Sequence, residues 1–265
     1  MNYYNYTDIK YNFKIDGKDN IIDEININYY KNNYKFYVRQ EDSSGYFVAE
    51  EVIKKDEYLL YKYNNNIGKH IIDIGANFGL VTMILAKQNP ESIIYAFEPH
   101  YETFKILELN VNINNLTNVK LFNMAVSNNN TDYIKLITHP QLSGGNTTQS
   151  DINVMRTHFS DKFKEEYDTV FKHKIKEITV NCISLDKIVS QFNIDNIFLL
   201  KIDCEGAEYD IIYDSIFFKT KKIEYLIGEF HNLKYNKVGN NTADKLIEYC
   251  KLYINNDINI SILNI

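Results

Sequence analysis

From residue 70 onward, short apolar runs alternate with segments whose apolar residues fall at helical spacing. Ile71, Ile72 and Ile74 form a run of the kind that is covered on both faces, and Leu80, Val81, Met83, Ile84, Leu85 and Ala86 continue with the period of a helix. The pattern predicts strands at 70–75, 93–97, 119–125, 197–203, 223–230 and 258–263, with helices at 79–88, 101–114, 205–215 and 242–253. Such alternation is the signature of an α/β fold built on a doubly wound, mostly parallel sheet. Ahead of it, residues 11–15, 25–29 and 34–38 alternate apolar and polar side chains around turn signals at Asp16-Gly17 and Lys31-Asn-Asn33. That spacing predicts a small antiparallel unit, and the apolar positions from Phe47 to Tyr61 predict an amphipathic helix after it. The expected division is therefore a β-hairpin and helix extension over 1–62 and one α/β domain over 63–265. A strand at 133–137 leads into a polar segment, about 138–177, that interrupts the alternation before another strand at 178–183. The segment carries Ser143-Gly-Gly-Asn146 and a mixed helix near Arg156 to Phe171, and an insertion of this length is expected to be a lid or recognition element.

Composition narrows the class of partner. A chain of 265 residues with 45% hydrophobic side chains can bury one substantial core. Its net charge is −6 and Arg39 and Arg156 are its only arginines, so there is no arginine-rich face for a phosphate backbone and no nucleic-acid partner is expected. No stretch approaches the roughly 20 apolar residues of a membrane span. The opening Met-Asn-Tyr-Tyr lacks the basic and apolar regions of a signal peptide, and Cys182, Cys204 and Cys250 are too few for a disulfide framework. Together these features predict a cytoplasmic location.

The candidate chemistry begins where the first parallel strand breaks into a glycine turn, Asp73-Ile-Gly-Ala-Asn-Phe-Gly79. Gly75 and Gly79 permit backbone conformations and close approaches that side chains would block, so Asp73, Gly75, Ala76, Asn77 and Gly79 are expected to cradle a nucleotide-like cofactor. A dinucleotide fingerprint wants glycine where this chain has Asn77, which favours S-adenosylmethionine. Glu98 lies about two dozen residues beyond Gly75, the separation at which such folds place an acid on ribose hydroxyls, and Pro99 fixes a turn after it. Asn123 and Ala125, at the end of the third strand, are positioned to meet the adenine ring. The strand at 197–203 ends with Lys201 and Asp203 on one face, and the end of the strand at 223–230 repeats the spacing in Glu229 and His231. If the two strands are neighbours, an ammonium, two carboxylates and an imidazole converge at one sheet edge, where charge is costly unless paired or functional.

Methyl transfer needs an acceptor held in line with the methyl group and a means of removing its proton. His231 is a candidate base, with Lys201 beside it; Asp203 and Glu229 could orient it, bind substrate hydroxyls or hold a divalent cation such as Mg2+, and Asp203 also belongs to the cofactor set. These blocks, with Tyr95-Ala-Phe-Glu-Pro99, Asn110-Val-Asn-Ile-Asn114, Ser184-Leu-Asp186, Lys201-Ile-Asp-Cys-Glu-Gly-Ala-Glu208 and Glu229-Phe-His231, resemble the FkbM-type S-adenosylmethionine-dependent methyltransferases in order and spacing over roughly residues 70–232. The resemblance implies a class I, Rossmann-like methyltransferase fold, with ribose on Glu98 and acceptor chemistry near Asp203, Glu205, Glu229 and His231. Asn146 in the insertion and Asn232 after the fifth strand complete the expected substrate-binding set. The resemblance also implies acceptor hydroxyls on sugars, glycans or polyketide-like metabolites; the leading expectation is O-methylation of a sugar, glycan or nucleotide-linked sugar as a small-molecule or glycan acceptor, with N-methylation of an amino sugar or a non-catalytic binding domain as alternatives. That fold normally finishes with an antiparallel pair of strands, of which this chain has one evident, Ile258–Leu263.

Overall fold

The computed structural model describes residues 4–15, 17–30, 32–64, 68–128, 131–148, 172–232 and 242–264. The helix expected near Arg156 to Phe171 lies outside them. Strands β1 (Tyr4–Ile15), β2 (Lys18–Tyr29) and β3 (Asn32–Arg39) form an antiparallel meander, as their alternating pattern predicts. Helix α1 (Ser44–Ala49) follows and widens into a π turn over Glu50–Lys54. The single helix expected over 47–61 does not continue, because Asp56 and Leu59 adopt left-handed conformations, φ 53° and 49°. Asp56 is held there by the hydroxyls of Tyr29 and Tyr30, and the break turns Tyr58 toward Asp203.

The main sheet comprises β4 (His70–Ile74), β5 (Ile93–Phe97), β6 (Val119–Phe122), β10 (Ile197–Ile202), β11 (Ile223–Asn232) and β12 (Ile258–Asn264), in the order β12-β11-β10-β4-β5-β6. Every pairing in it is parallel. Where the antiparallel pair was expected, β12 instead runs parallel to β11. Ile71, Leu199 and Ile227 feed an apolar cluster on one face with helix α2 (Leu80–Gln88), while their neighbours Ile72, Leu200 and Leu226 feed the cluster on the other. That second cluster is covered by helices α4 (Leu185–Gln191), α5 (Glu208–Asp214) and α6 (Ala243–Cys250), α3 (Tyr101–Ile113) lying between β5 and β6 in the chain. The first cluster also takes in Ile25, Phe36 and Val52, so the amino-terminal unit packs on the parallel sheet through a shared core. Asn110 of α3 fastens the two, exchanging bonds with the backbone of Tyr37 and donating to the Phe78 carbonyl at 2.8 Å.

A third sheet, β7 (Ala125–Ser127), β9 (Lys176–Ser184) and β8 (Tyr133–Thr138), borders the carboxyl ends of the main strands. The strand expected over 119–125 is split at its Asn123: that side chain donates to the carbonyls of Glu98 and Pro99, both at 2.9 Å, and β7 joins the third sheet. Likewise, the helix expected from 205 starts at Glu208, since Glu205 and Gly206 are left-handed at φ 52° and 102°. All three cysteines are free, and no helix among the described residues is long and apolar enough to cross a membrane.

Candidate active site

The chain direction changes sides of the sheet between β4 and β10, and in an open parallel sheet that crevice is where ligands bind. A cleft opens there, walled by Gly75, Asn77, Glu98, Pro99, Asp203 and Glu205. Its shape follows from the glycine turn. A Cβ at Gly75, whose φ is 76°, would stand 1.9 Å from the Asp203 carbonyl oxygen, so the turn can lie against the end of β10 only without a side chain. A Cβ at Gly79 would meet Leu107 at 2.4 Å, which lets α2 start directly under α3. Asn77 is left-handed at φ 51°, a conformation asparagine tolerates, and its Oδ1 accepts from the Phe78 amide. The Gly75 and Ala76 amides both donate to the Phe97 carbonyl, locking the turn to β5.

Glu98 is buried at the end of β5, with one carboxylate oxygen accepting from the Asn77 amide at 3.0 Å and the other from His100 at 2.9 Å. Burial pushes its pKa up to about 7 against the pull of those two amides. Each oxygen keeps a further lone pair for a donor in the cleft. The wall beyond it is apolar, formed by Met124, Ala125, Val126 and Leu136. Asn123 is not part of that wall; it fixes the Glu98-Pro99 turn from behind.

Beneath the turn, Lys201 is almost fully buried and donates to the Gly75 carbonyl at 2.6 Å, with Asp73 at 3.3 Å and Asp203 at 3.7 Å. Burial opposes its charge, but Asp73 and Asp203 outweigh that and raise its pKa. Asp73 is wholly buried and also accepts from Thr82. Neither side chain lines the cleft; together they hold the turn. Asp203 does line it, and its carboxylate accepts from the Tyr58 hydroxyl at 3.0 Å. Burial raises the Asp203 pKa despite Lys201.

Sequence reading brings Glu229 and His231 to this region, and β11 does pair with β10. Their environments differ from those of an exposed base and its partner. His231 is completely buried and does not line the cleft; its Nδ1 bonds Glu208 at 2.8 Å and its Nε2 lies 3.4 Å from Glu205. Burial works against its charge, yet Glu205 and Glu208 hold its pKa well above the ordinary value. Glu229 is raised to about 9 by burial, then by Asp203 and Glu51. Asp203 and Glu229 fall into separate groups of possible cation ligands, Asp203 with Glu205 and His231, Glu229 with Glu51 and Glu57. Asn146 lines the cleft; its Oδ1 accepts from the His139 amide, while its Nδ2 is buried with no hydrogen-bond partner. Asn232 instead accepts from the Ala243 amide and tethers α6.

Four residues that the sequence reading did not assign to the site contribute to it. Glu208, wholly buried, is the principal partner of His231, and its signal was its place in the same charged block as Asp203. Tyr58 gave no signal, because only the broken helix aims it at Asp203. Ser143 and Gly144 close the cleft over Asn77, Gly144 donating to Ser44 at 2.9 Å.

The parallel sheet, glycine turn and acid closing β5 define a class I, Rossmann-like methyltransferase fold. Residues 73–253 match the methyltransferase FkbM domain, and the chain belongs to that family. Relatives include Methyltransferase 1 of Beauveria bassiana, 28% identical over 54% of this chain and 56% of that protein. Methyltransferase sdnD of Sordaria araneosa is 25% identical over 63% of this chain and 67% of its own length. The chain thus spans only part, from about half to two thirds, of these relatives. Among solved structures, a 16S rRNA methyltransferase (RsmC) of T. thermophilus in complex with AdoMet and guanosine overlaps weakly, with a TM-score of 0.33 at 12% identity over 60% of this chain and 50% of that one. Trm5b of Pyrococcus abyssi gives a TM-score of 0.28 at 14% identity over 66% and 62%.

Proposed function

We propose that this protein transfers a methyl group from S-adenosylmethionine to a hydroxyl of a sugar, glycan or nucleotide-linked sugar. The observation that carries the reading is the meeting, in one cleft, of the Gly75 turn with the Glu98 carboxylate on one side and the Asp203 carboxylate on the other. The residues present fit the cofactor: the bare backbone at Gly75, two oxygens on Glu98 with spare lone pairs, and an apolar wall at Ala125 and Leu136 for a flat ring. When bound, S-adenosylmethionine supplies a methyl carbon already activated by the sulfonium.

The chain's own residues supply the rest. Glu98 accepts from the ribose hydroxyls. Asp203, which lines the cleft with Glu205, accepts the proton of the incoming hydroxyl, and its raised pKa makes it a stronger base than an exposed aspartate. Lys201 and Tyr58 hold that carboxylate in place. His231, wholly buried and paired with Glu205 and Glu208, acts as the cation that fixes Glu205 at the cleft wall. Ser143, Asn146 and Thr148 give the acceptor side a neutral polar lining, suited to hydroxyls, and the net charge of −6 supports a small polar acceptor over a nucleic acid.

The test is incubation with S-adenosylmethionine and a panel of sugars, nucleotide-linked sugars and amino sugars, followed by mass spectrometry for one added methyl group. A hydroxyl acceptor should be methylated, and Asp203→Asn should lower kcat by about 10^2- to 10^4-fold, the usual contribution of a positioned base. Methylation confined to amines, or kcat unchanged in Asp203→Asn, would sink the hydroxyl reading.

A further inference from the structure

We propose a binding site for a divalent transition-metal ion formed by His231 Nε2, Asp203 and Glu205, in the floor of the cleft. One potential ligand atom from each of the three lies within 4.8 Å of the other two. The independent observation is the imidazole itself. His231 is 0% exposed, its Nδ1 is engaged by Glu208 at 2.8 Å, and its Nε2, turned toward the two acids, is buried without a hydrogen-bond partner. A histidine whose rear nitrogen is fixed by a carboxylate while its front nitrogen faces oxygen donors is the arrangement by which proteins orient a metal ligand.

Spacing and charge agree with this assignment. His231 Nε2 and Glu205 Oε2 are 3.4 Å apart, too far for a well-formed hydrogen bond. Two ligands each about 2.1 Å from a common ion stand about 3.0 to 3.4 Å apart, depending on coordination geometry. Asp203, Glu205 and Glu208 place three carboxylates around one imidazole, and Lys201 lies nearer to Asp73 than to Asp203. A doubly charged ion in place of a single proton brings that group closer to neutrality. One imidazole with two carboxylates matches the ligand preferences of Mn2+, Fe2+ or Zn2+ better than those of Mg2+, which favours oxygen alone. Asp203 and Glu205 both line the cleft, leaving the remaining coordination positions on the side from which an acceptor arrives.

The site rests on these side chains and not on the identity of the acceptor, so it can be tested without an assay for activity. Full-length, chelator-treated protein would be titrated calorimetrically with MnCl2 and, separately, MgCl2, and the Mn2+ form examined by electron spin-echo envelope modulation. The expected result is one Mn2+ per chain with 14N modulation from an imidazole, and Mg2+ binding at least about tenfold weaker. His231→Gln should abolish the modulation. Should that variant fail to fold, Glu205→Gln, checked for an unchanged melting midpoint, should weaken Mn2+ by at least the about 10- to 100-fold that loss of an outer-shell partner alone costs. Glu57→Gln in the neighbouring acidic group should leave Mn2+ affinity unchanged. Absence of stoichiometric Mn2+ binding, 14N modulation that persists without His231, equal affinity for Mg2+, or loss of binding in Glu57→Gln alone would each overturn the proposal.

Discussion

Replacing Glu98 with glutamine isolates the group on which the cofactor reading turns. Burial places its pKa at about 7, so about nine-tenths of the chains carry the carboxylate at pH 8 and about one-tenth at pH 6. If the ionised form binds the ribose, the dissociation constant for S-adenosylmethionine should rise about tenfold from pH 8 to pH 6. At pH 8, Glu98→Gln gives up hydrogen bonds to a charged acceptor worth about 1.5 to 3 kcal/mol, and its affinity should fall about 10- to 100-fold. At pH 6 the gap should narrow by about the same tenfold that the wild type loses. Stability supplies the second arm, with the opposite sign. A carboxylate whose folded pKa is raised from 4.5 to about 7 contributes stability that is fully present below pH 4.5 and lost as pH climbs through 7, here about 3 kcal/mol, with nothing more lost above that. The difference in unfolding free energy between Glu98→Gln and wild type should therefore move by about that amount in the variant's favour between pH 4.5 and 8. Calorimetric titration at pH 6, 7 and 8, with urea unfolding across the same range, measures both. A wild-type dissociation constant that stays within twofold from pH 6 to 8, or a variant that binds as tightly as wild type at pH 8, would refute the assignment of Glu98.

Three further outcomes follow from the geometry. Gly75→Ala drives a Cβ against the Asp203 carbonyl at 1.9 Å, so urea unfolding should show a loss of at least about 2 to 3 kcal/mol together with loss of cofactor binding; an unchanged midpoint would contradict the close approach. Lys201→Met strips the cation from buried Asp73 and should cost about 3 to 5 kcal/mol, whereas adding Asp73→Asn to it should recover part of that loss, and a double variant no more stable than the single would argue against the ion pair. Asn110→Ala leaves the Tyr37 and Phe78 backbone groups without their partner, and a cost of about 2 to 4 kcal/mol by chemical denaturation is expected; less than 1 kcal/mol would mean that the amino-terminal sheet is held by apolar contact alone.

The pattern of apolar residues was enough to locate the six strands of the main sheet, most plainly the central ones, because strands covered on both faces must be apolar nearly throughout, and β10 is buried at every position. Left-handed residues were harder to read. Asp56, Leu59 and Glu205 carry no glycine to announce them, yet they end the helix after α1, aim Tyr58 and delay α5. Asp56 is held by tertiary partners, the hydroxyls of Tyr29 and Tyr30, which a local pattern does not contain. Asn123 illustrates the same limit at the sheet edge. Its place at the end of a strand was legible, but whether its amide turned into the cleft or behind it depended on the carbonyls of Glu98 and Pro99.

For the charged strand ends, sequence spacing supplied the members of the group and the fold supplied their pairing. Lys201 and Asp203 are two apart, as are Glu229 and His231, so each pair was expected to share a face. Which charge faces which depends on the turn after β10, where Glu205 and Gly206 fold back and bring Glu208 under the imidazole. That turn buries His231 between Glu205 and Glu208, and it leaves Asp203 and Glu205 as the acids that meet the cleft. Carboxylates outnumber cations around the floor even with Glu229 held neutral near pH 7 by its raised pKa. The excess negative charge lies against the Gly75 turn, so under the proposed function a sulfonium there would meet an attractive field and an arriving hydroxyl a base, both from the one loop between β10 and α5.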